Sequence, residues 1–324
     1  MKENRKAFII LEIVLAAAVL ILTAAMLVRD YQKPHRVSVI LRNPEESQWA
    51  ALRFGLKQAA KDRNVALVIA GTGDLASAED EKEQIQEEID NGAKALIVEP
   101  SPGSGTGAML EEMSKKIPIL LIESKAGDSE NLSYPAAAEA DNYAMGQAAA
   151  KEVLKDFSGR LDGKRIGILS GSQGTEAGVS RKQGCLDILK DSGGTVIWTL
   201  ESMETAQNAE ALIQEKEKAD IIIALNDPAL EAAGKCNQEG DLKGALLYGI
   251  GNSTETVYYL DQDLVRAIIA PDEFMIGYQA VCETAESLDN FFRKPESRTA
   301  DYRVLRRDTL FAEENQQLLF AISQ

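Results

Sequence analysis

Amides, carboxylates and an indole gather where short apolar runs of this 324-residue chain end. Arg42-Asn43-Pro44-Glu45-Glu46-Ser47-Gln48-Trp49 follows the first such run. Asn43 beside Trp49 is what a polyhydroxylated ligand needs: its C–H face packs on an aromatic ring while planar polar groups take its hydroxyls. The other reading of the segment has Trp49 packing in the first helix and Ser47 capping it. Glu123-Ser124 aims a carboxylate from the end of a later run. Leu225-Asn226-Asp227-Pro228 ends a strand and opens a helix. Asp227 at the N-cap with Pro228 at the first helical position is a capping pattern, which leaves Asn226 to face a ligand. Gly249-Ile250-Gly251-Asn252-Ser253 and Ala270-Pro271-Asp272-Glu273 bring Asn252 and Asp272 to further strand ends. There Asp272 or Glu273 either caps the long helix that follows or touches the ligand.

Other chemistries find little support. Glu99, Glu123 and Asp272 offer carboxylates for acid/base work, yet acidic residues at strand ends of a binding fold serve more often as acceptors for hydroxyls; no catalytic residue is assigned. The loop from Glu99 through Gly103, Gly105 and Gly107 is rich in glycine but matches neither GxxxxGK[ST] nor G-x-G-x-x-G, so it reads as a flexible loop and no cofactor is implied. The single histidine, His35, precedes the main domain, which removes a histidine triad, a multi-histidine metal site and a histidine proton shuttle from it. Cys185, Cys236 and Cys282 form no CxxC pair and are odd in number; they read as small buried helix residues rather than a disulfide framework or metal site. The formal net charge of −16 repels phosphate backbones and argues against nucleic acid as a partner.

The elements that must position these residues follow a simple rhythm. Strands are predicted over 37–41, 66–70, 95–98 and 119–122, with helices over 48–64, 78–91 and 105–116 between them. The pattern restarts with strands over 165–169, 195–200, 221–225, 245–249 and 265–270, and helices over 180–192, 206–218, 228–238, 253–261 and 273–292. Continuous apolar strands between amphipathic helices imply parallel sheets buried on both faces, hence an α/β fold of two Rossmann-like doubly wound lobes. Ligands of such sheets bind beyond the carboxyl ends of the strands. Two lobes facing each other therefore enclose a cleft suited to hinge closure.

The N-terminus has a different character. Residues 7–28 are apolar but for Glu12, long enough for one transmembrane helix. Lys2, Arg5 and Lys6 precede it, which places a cytoplasmic tip at 1–6, the anchor at 7–28, a linker at 29–36 and the bulk of the chain outside the membrane. Met26, Leu27 and Val28 continue the apolar run past the poor cleavage site at Thr23-Ala24-Ala25, so an uncleaved helix is expected rather than a signal peptide. No cysteine follows the run to carry a lipid anchor.

Ala140-Asp141-Asn142 with Gly146, Gly174-Thr175 with Arg181 and Gly184, and Ala224-Leu225-Asn226-Asp227 stand in an order and spacing that resembles the type I periplasmic sugar-binding proteins, the ribose/galactose-binding group whose core also occurs in LacI-type repressors. The resemblance covers residues 36–309. It implies two lobes joined by three crossover hinge strands near Ala140, Asp272 and Ser297, giving lobe 1 as 37–140 plus 272–296 and lobe 2 as 141–271 plus 297–324. Position by position it implies a sugar contact at Asn226, an aromatic one at Trp49, a carboxylate at Glu123 where the family has aspartate, and a place for Asp141 at the first crossing. Ser124 and Val179 stand where arginine is common, Gly251 replaces a ligand-contacting aspartate beside Asn252, and Pro271 replaces a polar residue beside Asp272. The expected ligand set is therefore Asn43, Trp49, Glu123, Asp141, Asn226, Asn252 and Asp272, with no metal. The resemblance implies a sugar or sugar-like ligand, and a partner that is an ABC permease or a signalling protein such as a histidine kinase. The alternative is a degenerate lobe pair that recognises protein as a sensor subunit of a two-component system. A repressor would need a DNA-binding motif where the apolar segment stands.

Overall fold

Residues 15–19, 34–71, 73, 77–126, 135–171, 173–201, 206–290 and 293–324 are described by the computed structural model of the chain. Of the predicted anchor only the helical stretch 15–19 falls within them, and the rest of 7–28 lies outside the described residues. Among the described residues no helix is long and apolar enough to cross a membrane. Arg36–Gln324 forms a unit of its own.

That unit holds two six-stranded sheets. In the first, β1 (Arg36–Leu41), β2 (Ala66–Gly71), β3 (Ala95–Val98), β4 (Ile119–Ile122), β5 (Ala136–Ala140) and β11 (Arg298–Ala300) lie in the order β11-β5-β4-β3-β1-β2, all parallel. In the second, β6 (Arg165–Leu169), β7 (Thr195–Leu200), β8 (Ile221–Ala224), β9 (Leu246–Ile250), β10 (Ala267–Pro271) and β12 (Tyr302–Leu305) lie in the order β12-β10-β9-β8-β6-β7, with only β12 antiparallel. The strand order reverses at β1/β3 in one sheet and at β6/β8 in the other, so each lobe has one switch point where the strand ends splay into a crevice.

The strands form because runs such as Ala95–Val98 and Ile119–Ile122 are apolar throughout and are buried at every position. Each large side chain removed from water contributes roughly 1.5–3 kcal/mol. Helices α1 (Ala50–Asp62), α2 (Ala78–Asp90), α3 (Thr106–Met113) and α9 (Glu273–Asp289) cover the first sheet, and α4 (Asn142–Asp156), α5 (Glu176–Leu189), α6 (Ala206–Gln214), α7 (Asp227–Glu239) and α8 (Thr254–Asp261) belong to the second. The C-terminal α10 (Gln316–Ile322) packs on α1, with Phe320 edge-on to Phe54.

Two helix pairs pack without side chains between them. A Cβ on Gly55 of α1 would sit 2.0 Å from the Phe274 carbonyl oxygen of α9, and one on Gly277 would sit 2.5 Å from the Leu52 oxygen. In the second lobe Gly146 of α4 meets the Arg181 oxygen of α5 at 2.0 Å, and Gly184 meets the Tyr143 oxygen at 2.1 Å. Each lobe thus joins its central helices through a reciprocal pair of glycines.

The chain crosses between sheets at Asp141, at Asp272 and at Asp301. The last was expected near Ser297. The difference comes from β11, whose Arg298 and Thr299 are exposed and leave no apolar pattern in the sequence. β5 was also not expected as a strand: its Ala-Ala-Ala-Glu-Ala run has no β-branched residue, but small side chains admit α9 against that end of the sheet. α5 begins at Glu176, ahead of the expected 180, because Thr175 Oγ1 accepts the N–H of Gly178 at 3.2 Å and caps it.

Candidate functional site

The carboxyl ends of β1, β3, β4, β6, β8, β9 and β10 converge on a cavity of about 130 Å³ between the lobes. One water takes about 10–15 Å³ of such space, so the cavity suits a small metabolite. The lobes touch around it. Asn252 Nδ2 donates to the Gln48 carbonyl at 3.0 Å, and the Ala177 N–H donates to Ser124 Oγ at 2.9 Å. Ala126 and Thr175 form a β-bridge across the gap.

Asn43, Trp49, Glu123, Asn226 and Asn252 all line the cavity. Asn43 holds a left-handed backbone at φ 44°. Trp49 is buried in the core, its Nε1 donates to the Arg42 carbonyl at 3.1 Å, and it lines the cavity. Ser47 caps no helix; its hydroxyl faces Glu231 of the other lobe at 3.5 Å. Asp141 and Asp272 are not on the cavity wall. Asp141 caps α4, accepting the Ala144 N–H at 2.9 Å, and Asp272 caps α9, accepting the Met275 N–H at 3.0 Å.

The capping pattern at α7 is shifted by one residue from the expected one. Asn226 is the N-cap, its Oδ1 accepting from the Ala229 N–H at 3.2 Å. Asp227 sits inside the first turn and is buried. Its Oδ1 accepts the N–H groups of Asn252 at 2.6 Å and Ser253 at 3.0 Å and the Thr256 hydroxyl at 3.3 Å, which ties the end of β8 to the loop after β9. Burial holds the Asp227 carboxyl above its ordinary range, with these donors pulling the other way. Glu231 one turn on is pushed to about 8 by burial and by Asp227.

Arg42, Glu99, Arg181 and Glu273 also line the wall, as do Glu46 and Asp227. Arg42 and Glu99 follow β1 and β3 directly, neighbours at the switch point. Arg42 donates from Nε to Oε1 at 2.9 Å and from its backbone N–H to Oε2 at 2.9 Å. Burial raises the Glu99 carboxyl and Arg42 opposes the rise. Arg181 of α5 donates to Asn142 Oδ1 at 2.8 Å and to the Leu225 carbonyl at 3.4 Å. Glu273 is buried next to Glu123; burial, then the Glu123 charge, raises its carboxyl well above the ordinary range, while Arg181 opposes. Glu123 is itself held at φ 68°. The Arg42–Glu99 pair had a signal in the sequence, opposite charges directly behind two adjacent strands. Glu273 had one too, since two acids in succession after β10 leave one to cap and one to turn inward.

A sequence profile of the periplasmic binding protein domain matches residues 37–289. The chain belongs to that family. No curated protein sequence matches this family member. Solved structures do match in fold. A carbohydrate transporter solute binding protein from Agrobacterium radiobacter, in complex with D-arabinose, is 17% identical at a TM-score of 0.79, over 89% of this chain and 99% of that one. GanP, a glucose-galactose binding protein from Geobacillus stearothermophilus, is 20% identical at 0.74, over 86% and 100%. A XylFII–LytSN complex is 19% identical at 0.73, over 85% and 98%. At these identities the likeness is one of fold.

Proposed function

We propose that this periplasmic binding protein closes its two lobes around a sugar or sugar-like small polar ligand on the outer side of a membrane, tethered by residues 7–28 as a single-pass helix. The observation that carries the reading is the cavity itself. It lies where both switch points face each other, it is lined by polar groups beside one indole, and cross-lobe hydrogen bonds close it. Proteins of the same fold include one with bound D-arabinose and one described as glucose-galactose binding. The wall is a set of hydrogen-bonding groups, and binding without turnover is the chemistry it supports best. A thermal-shift screen of the full chain in detergent against sugars, polyols and phosphosugars tests this. A true ligand at about 100 times its Kd adds about 2.7 kcal/mol of stability; no shift with any sugar or polyol would favour the degenerate, protein-recognising lobe pair instead.

The partner is an ABC permease or a membrane signalling protein. The apolar tether without a following cysteine, and the XylFII–LytSN complex among the proteins of this fold, favour the signalling reading. Deleting the gene separates the two. Loss of uptake of the labelled ligand marks the importer, and loss of ligand-dependent transcription with uptake intact marks the sensor.

A further inference from the structure

We infer that the cleft is built for a ligand bearing a primary ammonium group, an amino sugar or amino polyol, with Glu123 and Glu273 receiving the ammonium. This rests on the reading of the cleft as a ligand site and narrows it.

The inference comes from which hydrogen-bonding capacity is spent. Four donor side chains of the wall have partners in the protein: Arg42 with Glu99, Arg181 with Asn142 and the Leu225 carbonyl, Trp49 with the Arg42 carbonyl, and Asn252 with the Gln48 carbonyl, Arg181 using only part of its five N–H groups in these bonds. Acceptors are left over. Glu123 Oε1 and Glu273 Oε2 are buried and no N–H or hydroxyl of the protein donates to either; the two carboxyls have a hydrogen bond only with each other, and both residues line the cavity. Glu273 is only 4% exposed, so water does not meet its need. Buried oxygens without donors are costly and in native proteins have a reason.

The charge balance selects among donors. Arg42 is neutralised by Glu99, which leaves Arg181 as the cation opposite two carboxyls, with Asp272 adding a further negative charge nearby. A phosphorylated sugar or sugar acid would meet this acidic wall with its own negative charge. A hydroxyl offers one donor and no charge. An ammonium offers three donors and a full positive charge, and charge-assisted hydrogen bonds are the stronger kind.

The test is calorimetric titration of the full-length protein in detergent micelles, at mildly acidic pH. D-glucosamine, D-galactosamine and D-mannosamine are compared with the matching neutral hexoses and with N-acetyl-D-glucosamine, which keeps the bulk and loses the charge. The expected result is at least one amine bound about tenfold or more tighter than both its hydroxyl and N-acetyl counterparts. Glu273→Gln and, separately, Glu123→Gln should shrink that ratio. Neutral hexoses binding as well as the amines would overturn the ammonium assignment and leave the sugar-binding reading standing. Binding by none of the panel would overturn both.

Discussion

Glu99 is a carboxylate almost removed from water, made tolerable by one guanidinium. Removing one partner of a buried pair leaves an uncompensated charge and costs about 3–5 kcal/mol, whereas replacing both with apolar groups is often near neutral. Arg42→Ala is therefore expected to lower the urea midpoint strongly, and Arg42→Met with Glu99→Leu to recover most of the loss. Equal losses in the single and double variants would show that the pair is not what holds the switch point. Asp227 presents a related case, with two backbone N–H groups depending on one oxygen. Asp227→Ala leaves both without a partner at about 1–3 kcal/mol each, and chemical denaturation reads that directly. These residue roles were only partly legible. The sequence shows that Asn43, Trp49, Glu123, Asn226 and Asn252 stand behind strands, and all five reach the cavity wall. It does not show which of two adjacent polar residues turns in. At Asp272-Glu273 helix phase makes the first the cap and brings the second to the cavity, whereas at Asn226-Asp227 the cap itself also lines the cavity.

At the scale of elements, the reciprocal glycines of α1 with α9 and of α4 with α5 are the tightest joints. The atoms a side chain would meet there are backbone carbonyls, which cannot swing aside. Gly146→Val and Gly55→Val are each expected to destabilise by at least the 1–3 kcal/mol typical of overpacking, seen as a lowered Tm. A Tm unchanged in either would mean that the helices separate at little cost. The alternation of apolar runs and amphipathic stretches made most strands and helices readable before any coordinates. The elements that escaped lack that alternation: the alanine strand β5, whose burial comes from neighbours rather than its own side chains, and the polar edge strand β11. The third crossing lies beyond β11, a three-residue strand whose first two side chains are exposed and which is held by backbone pairing that no side-chain pattern announces.

At the scale of the molecule, carboxyls raised by burial outnumber those lowered by a cation among the described residues. Burial holds Glu81 at about 7 with Ser101 opposing, Glu139 at about 7 with Lys125 opposing, and Glu231 at about 8 with Asp227 adding to the rise. A carboxyl whose folded pKa lies above its unfolded value, near 4.3 for glutamate, binds its proton more tightly in the folded state. That stabilisation is fully present below the unfolded value and is lost as pH rises through the folded one. Stability is thus expected to fall from about pH 4.5 to about pH 8, opposite to a protein held by ionised salt bridges, and the excess of negative charge acts in the same direction. Thermal melts across that window check it. Glu81→Gln and Glu231→Gln should each flatten the profile, and a Tm that climbs toward neutrality would contradict these assignments.

The third crossing is laced to the other two. Ala300 pairs with Ala140 beside the first crossing, Tyr302 pairs with Pro271 beside the second, and the Asp272 N–H donates to the Asp301 carbonyl at 2.9 Å. Three separate strings would let the halves twist, slide and tilt independently. Laced together they behave as a strap hinge with a single pin, and a single pin leaves one angle to vary. A partner of the kind proposed above would then be offered a dial with one scale rather than a shape to be recognised in full.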